Sequence, residues 1–201
     1  MSMEQIQQLR AQSGAGVMDV KKALDEANGD YDGALEILRK KGVQTAAKKA
    51  DRDAHEGVIQ SYIHMDRIGV LVELNCETDF VARTDEFKML AKDIAMQVAS
   101  MQPQYVSSDM VPAEVIEKEK EIFAAQLADE GKPAEVMEKI LEGKIQKFFS
   151  EVVLMNQPFF KDEEQTIQDV IHAAVGKLGE NIQVKRFVRF SLDDSAEVKT
   201  A

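Results

Sequence analysis

The chain has 201 residues, enough for one fair-sized domain or two small ones, and its 44% hydrophobic content supplies the apolar side chains of a packed core. A net charge of -11 argues against a nucleic-acid binder, which needs clustered cations, and a single cysteine, Cys76, rules out an internal disulfide framework. No run approaches the roughly 18 apolar residues of a spanning helix, and Met1–Gln12 is polar, so a cytoplasmic protein with no membrane association is expected.

Three short helical patterns fill Met3–Gly42. Ile6 and Leu9 mark the first, which Ser13-Gly14-Ala15-Gly16 interrupts; Met18, Val20, Ala23, Leu24 and Ala27 mark the second, ended by Asn28-Gly29. Asp30 is placed to cap a third helix carrying Ala34, Leu35, Ile37 and Leu38, which is expected to stop at Gly42. Residues 1–42 therefore read as a compact three-helix module with a small core, similar to the ubiquitin-associated type of binding fold. Residues 43–56 are rich in alanine and charge and read as a linker helix. Arg39, Lys40, Lys41, Lys48, Lys49 and Arg52 fall within fourteen residues. They form either a solvated helix face or an attraction for an acidic surface or an RNA backbone.

From Gly57 the period changes to that of strands. Val58–His64 and Gly69–Cys76 are β-branched and apolar around a turn at Met65-Asp66-Arg67-Ile68, which predicts a hairpin. Phe87, Leu90, Ala91, Ile94, Ala95 and Val98 then follow helical spacing, and this stripe is expected to cover one face of the sheet. Two further helices begin at Pro112 and Pro133, with Glu130-Gly131-Lys132 between them, and their apolar stripes predict an antiparallel helical hairpin at about 112–150. A last helix, Ile167–Leu178, ends at Gly179, and Ile182–Phe190 alternates as a closing strand. Residues 57–192 thus read as an α+β core domain, with 193–201 a polar, mobile tail. The fold class is α+β: an N-terminal three-helix module, then a small antiparallel sheet packed with helices and a protruding helical hairpin.

No catalytic constellation is visible. His55, His64 and His172 lie at no metal-ligand spacing from one another or from Cys76, and there is no nucleophile elbow, P-loop or Cys-x-x-Cys. No cofactor is implied, and an enzyme is the least supported class. The informative segment is Glu73–Thr84, ELNCETDFVART, in which a strand runs into Thr78-Asp79-Phe80-Val81. A Phe just after a strand is ordinarily core. An aromatic tip backed by a carboxylate is also what a protein inserts into a partner.

The order of short motifs resembles bacterial elongation factor Ts. It is carried by Leu9–Ala23 (LRAQSGAGVMDVKKA), Asn28-Gly29-Asp30, Leu38-Arg39-Lys40-Lys41-Gly42, Ala46–Ala50, Glu56-Gly57-Val58, Gly69-Val70 and Asn75–Val81, then by Gly131-Lys132-Pro133, Glu142-Gly143-Lys144 and Gln157-Pro158-Phe159. The resemblance implies a guanine nucleotide exchange factor that binds the GTPase elongation factor Tu. It assigns to Thr78, Asp79, Phe80 and Val81 the segment that pushes between two helices of the partner and displaces groups holding its magnesium ion. It assigns weaker partner contacts to Arg10, Val17 and Met18 on the helical module, Val17 standing where relatives often carry methionine, and to His64. Longer relatives duplicate the core, so this chain reads as a short form with a single core half, and a homodimer is expected to cover what the missing half leaves open. Direct nucleic-acid binding is not implied. Two other classes stay open from the residues alone: an adaptor built on the helical module, and a nucleic-acid chaperone using the Arg39–Arg52 cations.

Overall fold

A computed structural model describes residues 2–128 and 134–194. The expected turn at Glu130-Gly131-Lys132, with Pro133, lies outside the described residues, as does the tail beyond residue 194.

The N-terminal helices are α1 (Met3–Ser13), α2 (Val17–Glu26) and α3 (Tyr31–Lys49). Their ends follow from local chemistry. Ser2 and Gln5 form a reciprocal capping box on α1, Gly14 closes it in a left-handed conformation, and the Asp30 carboxylate accepts the Gly33 N–H at 2.9 Å to start α3. Ile6, Leu9, Val20, Ala23, Leu24, Ala34 and Leu38 are buried together as a small separate core.

One expectation fails here. The third helix does not stop at Gly42 and hand over to a linker helix; α3 continues unbroken to Lys49, and residues 50–55 are turn and irregular chain. Gly42 serves a crossing instead of a stop. It faces α8 (Ile167–Leu178), where a methyl added at Gly42 would lie 3.5 Å from the His172 carbonyl oxygen and one added at Gly176 would lie 3.7 Å from the Gly42 Cα. The two small residues let the helix backbones approach, and Ala46, one turn further along α3, is buried in the main core.

That core is organised by a three-stranded antiparallel sheet in the order β1 (Glu56–His64), β2 (Ile68–Cys76), β5 (Ile182–Ser191). Side chains alternate along β2: Val70, Val72, Leu74 and Cys76 are buried and Leu71 is exposed. The buried face is covered by α5 (Asp85–Met101), whose Phe87, Leu90, Ala91, Ile94, Ala95 and Val98 are all buried, as their spacing predicts. Helix α8 joins the same core through Ile167, Ile171 and Val175.

The hairpin helices are α6 (Ala113–Ala128) and α7 (Ala134–Val152), which pack on each other, with Leu127 and Ile145 buried and the Lys144 ammonium 5.1 Å from the Phe123 ring centre. Their base is pinned to the core. Leu154 and Met155 donate backbone N–H groups to Tyr105 and Val106 carbonyls, and the buried Gln97 amide donates to Gln157 Oε1 and the Pro158 carbonyl while accepting the Phe160 N–H. A two-stranded ribbon that the sequence pattern does not reveal follows, β3 (Pro158–Phe159) with β4 (Asp162–Thr166).

Candidate functional site

Thr78-Asp79-Phe80-Val81 forms neither strand nor the start of the long helix. Residues Asp79–Ala82 make a one-turn helix of their own, α4, set between two threonine caps. Thr78 accepts the Val81 N–H at 3.4 Å, and Thr84 accepts the Phe87 N–H at 3.2 Å to start α5 while donating its hydroxyl to the Val81 carbonyl at 2.8 Å. Val81 packs half-buried against the main core and Ala82 is buried within it, which anchors one side of the turn. The other side points out. Phe80 is 79% exposed, and the Asp79 carboxylate is met by the Arg83 guanidinium at 2.8 Å on the surface. The ordinary reading of a Phe after a strand, a core residue, does not hold. A large ring is held in water on a turn that has little freedom to withdraw it.

The turn is also tied from behind, by residues that belong to no short motif. The Glu180 carboxylate accepts the backbone N–H groups of Glu77 and Thr78 at 3.1 and 3.0 Å and the Thr78 hydroxyl at 2.6 Å. Next to it, the Asn181 N–H donates to the Glu77 carboxylate at 2.7 Å, and the Asn181 side-chain amide donates to the carbonyls of Ala50 and Arg52. That backbone N–H, foremost, holds the Glu77 carboxyl below its usual range, with burial opposing and the Arg52 guanidinium assisting. Glu180 lies over a hundred residues from the turn it holds, so no local pattern flags it; the only signal is the Gly179-Glu180-Asn181 connection between α8 and β5.

Cys76, under the turn, is buried, and burial first, then the nearby Glu180 charge, pushes its thiol up to about 11. It donates weakly to the Thr78 carbonyl and stays protonated at neutral pH. Among the described residues no group of three His, Cys, Asp or Glu side chains is arranged to hold a metal ion, and no helix is long and apolar enough to cross a membrane.

A family model described as Elongation factor TS matches residues 2–194. The chain belongs to the elongation factor Ts family. Elongation factor Ts of Carboxydothermus hydrogenoformans is 56% identical over 197 residues, covering 98% of this chain and 91% of the relative. That of Thermodesulfovibrio yellowstonii is 55% identical over 194 residues, covering 96% and 97%, and that of Thermotoga maritima is 55% identical over 197 residues, covering 98% of each.

Within this elongation factor Ts fold the remaining expected contact residues fall into two separate places. Arg10, in the last turn of α1, and Val17 and Met18, at the start of α2, border the same interhelical turn, and all three are exposed. His64 ends β1 and rests by its Nδ1 against the Tyr62 hydroxyl at 3.0 Å. It pairs with Ile68, at the opposite end of the hairpin from Cys76, which puts nine residues of strand, roughly 27 Å, between it and the Phe80 turn. The structure does not bring His64 to that turn. The cationic stretch is largely spent locally: Lys40 pairs with Glu36, Lys41 with Asp19, Arg52 with Glu77, and Lys49 donates to the Gly179 carbonyl. Little is left in it of a free basic stripe for a phosphate backbone.

Proposed function

We propose that this chain is the guanine nucleotide exchange factor of elongation factor Tu: it binds the GDP-bound GTPase, displaces the magnesium ion there and promotes GDP release so that GTP can bind. The chain supplies no covalent chemistry; its work is done by binding. An exchange factor must bind the nucleotide-free partner better than the nucleotide-bound one, and the coupling is reciprocal, so the incoming nucleotide ejects the factor by the same free energy.

The observation that carries this reading is Phe80, exposed on a turn capped at both ends. An interface anchor of this kind is commonly worth about 2–4 kcal/mol. If the partner's pocket for it opens only when nucleotide leaves, that free energy weakens nucleotide binding roughly 30- to 700-fold. Asp79 brings a carboxylate to the region where the partner's cation is held, and Thr78 and Val81 keep the turn's shape. Arg10, Val17 and Met18 act as a second contact that holds the partner while the wedge enters, and Val17, shorter than methionine, contributes less. His64 is the weakest of these contacts, since it lies on the far end of the hairpin.

The same reading includes self-association. The sheet face opposite α5 carries Ile59, Ile63, Leu71 and Phe190, all exposed, on three adjoining strands where Leu71 lies opposite Ser61 and Val188, and Gly69 lies opposite Ile63 and Phe190. A contiguous apolar patch of this kind marks an interaction site. A second copy packed face to face by a two-fold axis covers it. The deciding experiment for the exchange function is release of a fluorescent GDP from elongation factor Tu with and without the chain; a release rate that the chain leaves unchanged at micromolar concentration overturns it.

A further inference from the structure

We propose that Glu180 is the positioning residue of the wedge: a single carboxylate, brought from the α8–β5 connection, sets the angle at which Phe80 is presented. The proposal rests on the wedge reading above. Three donors of the strand-to-helix junction, the N–H groups of Glu77 and Thr78 and the Thr78 hydroxyl, converge on this one side chain at 3.1, 3.0 and 2.6 Å. Hydrogen bonds to an ionised acceptor are shorter and stronger than neutral ones, so the junction is held more firmly than its neutral threonine cap alone would hold it.

The contacts form a chain that ends at the wedge. Glu180 accepts a hydrogen bond from the Thr78 hydroxyl, which leaves the Thr78 oxygen lone pairs for the Val81 N–H, and that bond starts the turn in which Phe80 sits. Glu180 itself has little play. Gly179, with φ 76°, closes α8 in the left-handed conformation that glycine adopts freely, and Asn181 is fastened on the other side to Glu77, Ala50 and Arg52. A carboxylate immediately beyond the C-terminus of α8 stands against that helix's dipole, which favours cations there. Its placement is accounted for by the donors it gathers from the wedge junction.

Two kinetic quantities separate positioning from stability. Catalysed release of fluorescent GDP from elongation factor Tu is measured over a range of chain concentrations for the parent, Glu180→Gln, Glu180→Ala, Phe80→Ala and the Phe80→Ala/Glu180→Ala pair, with a melting curve for each. The expected result is a maximal release rate roughly tenfold lower for Glu180→Ala, a smaller loss for Glu180→Gln, which retains one acceptor, and a half-saturating concentration close to the parent's. In the Phe80→Ala background the Glu180 change should cost nothing further, since no ring is left to aim. If Glu180→Ala does not fold, the isosteric Glu180→Gln decides. A folded Glu180 variant that releases GDP at the parent's maximal rate overturns the proposal, and so does a Glu180 loss that multiplies with that of Phe80→Ala. If Phe80→Ala itself releases GDP as the parent does, it is the wedge reading that falls, and the positioning role falls with it.

Discussion

Phe80 and His172 show how much depends on where a single side chain faces. Because the Phe80 ring is 79% exposed, Phe80→Ala removes almost no buried surface. The variant should melt with the parent, in contrast to the roughly 3–5 kcal/mol lost when a core Phe is truncated, while its catalysed GDP release falls. A melting temperature lowered by many degrees would mean that the ring belongs to the core. His172, on α8, lines the cleft between that helix and the helical module, and its buried Nδ1 has no hydrogen-bond partner. Burial pushes its pKa down from 6.5, the Asp169 carboxylate opposing. Arg39, Lys41 and Asp19 line the same cleft from the helical module, and Lys177 lines it from α8 itself. With the folded pKa depressed, the unfolded chain takes up a proton first as pH falls below 6.5, so stability is full above that pH and is lost progressively beneath it. Thermal melts between pH 7.5 and 5.5 should show a falling midpoint, and His172→Gln should flatten that dependence; an unchanged slope would place the effect elsewhere.

Element by element, the amphipathic helices and the β1–β2 hairpin were legible because their partners are near in sequence and their periods differ, 3.6 against 2. The stripe from Phe87 to Val98 is read directly, and all of it is buried. Gly42 is not legible as a crossing point, because a glycine that ends a helix and a glycine that lets two helices cross look alike in one dimension; the difference lies in Gly176, on another helix. The β3–β4 ribbon is not legible in the sequence because Asp162–Thr166, DEEQT, has none of the β-branched or aromatic residues that mark strands except its final threonine. The continuity of α3 has a measurable consequence. A chain beginning at Gly57 loses the buried Ala46 and leaves the buried Asn181 amide without its Ala50 and Arg52 acceptors. An orphaned donor alone costs about 1–3 kcal/mol, and each kcal/mol shifts the midpoint by about 2–4 °C in a protein of this size. The truncated chain should therefore melt several degrees below the full one, and equal midpoints would show that α3 contributes nothing to the main core.

At the scale of the whole molecule, the proposed dimer is tested at the open face of the sheet. Ile59, Ile63, Leu71 and Phe190 lie on the face that no helix covers among the described residues, while α5 covers the other. Light scattering at micromolar concentration should give a mass near twice 22.4 kDa, and Leu71→Asp, a charge at the centre of the patch, should return it to the monomer value. A parent mass that stays at 22.4 kDa on concentrating removes the dimer. The last described residues are held by ion pairs as well. Asp193 pairs with Arg67 and Asp194 with Arg189, so the expected mobile tail from residue 193 begins with two held residues.

Composition, periodicity and short motifs determined by themselves the α+β class and the order of the long helices and of β1, β2 and β5. These features depend on neighbours within a few positions, where spacing and propensity act. Only the tertiary structure decided that Phe80 stands in solvent, that Gly42 continues a helix, and that Glu180 gathers the donors beneath the Thr78–Val81 turn. Burial and long-range hydrogen bonds depend on which distant segments the fold brings together, and Glu180 and Thr78 meet only because β2 and β5 are neighbours in the sheet.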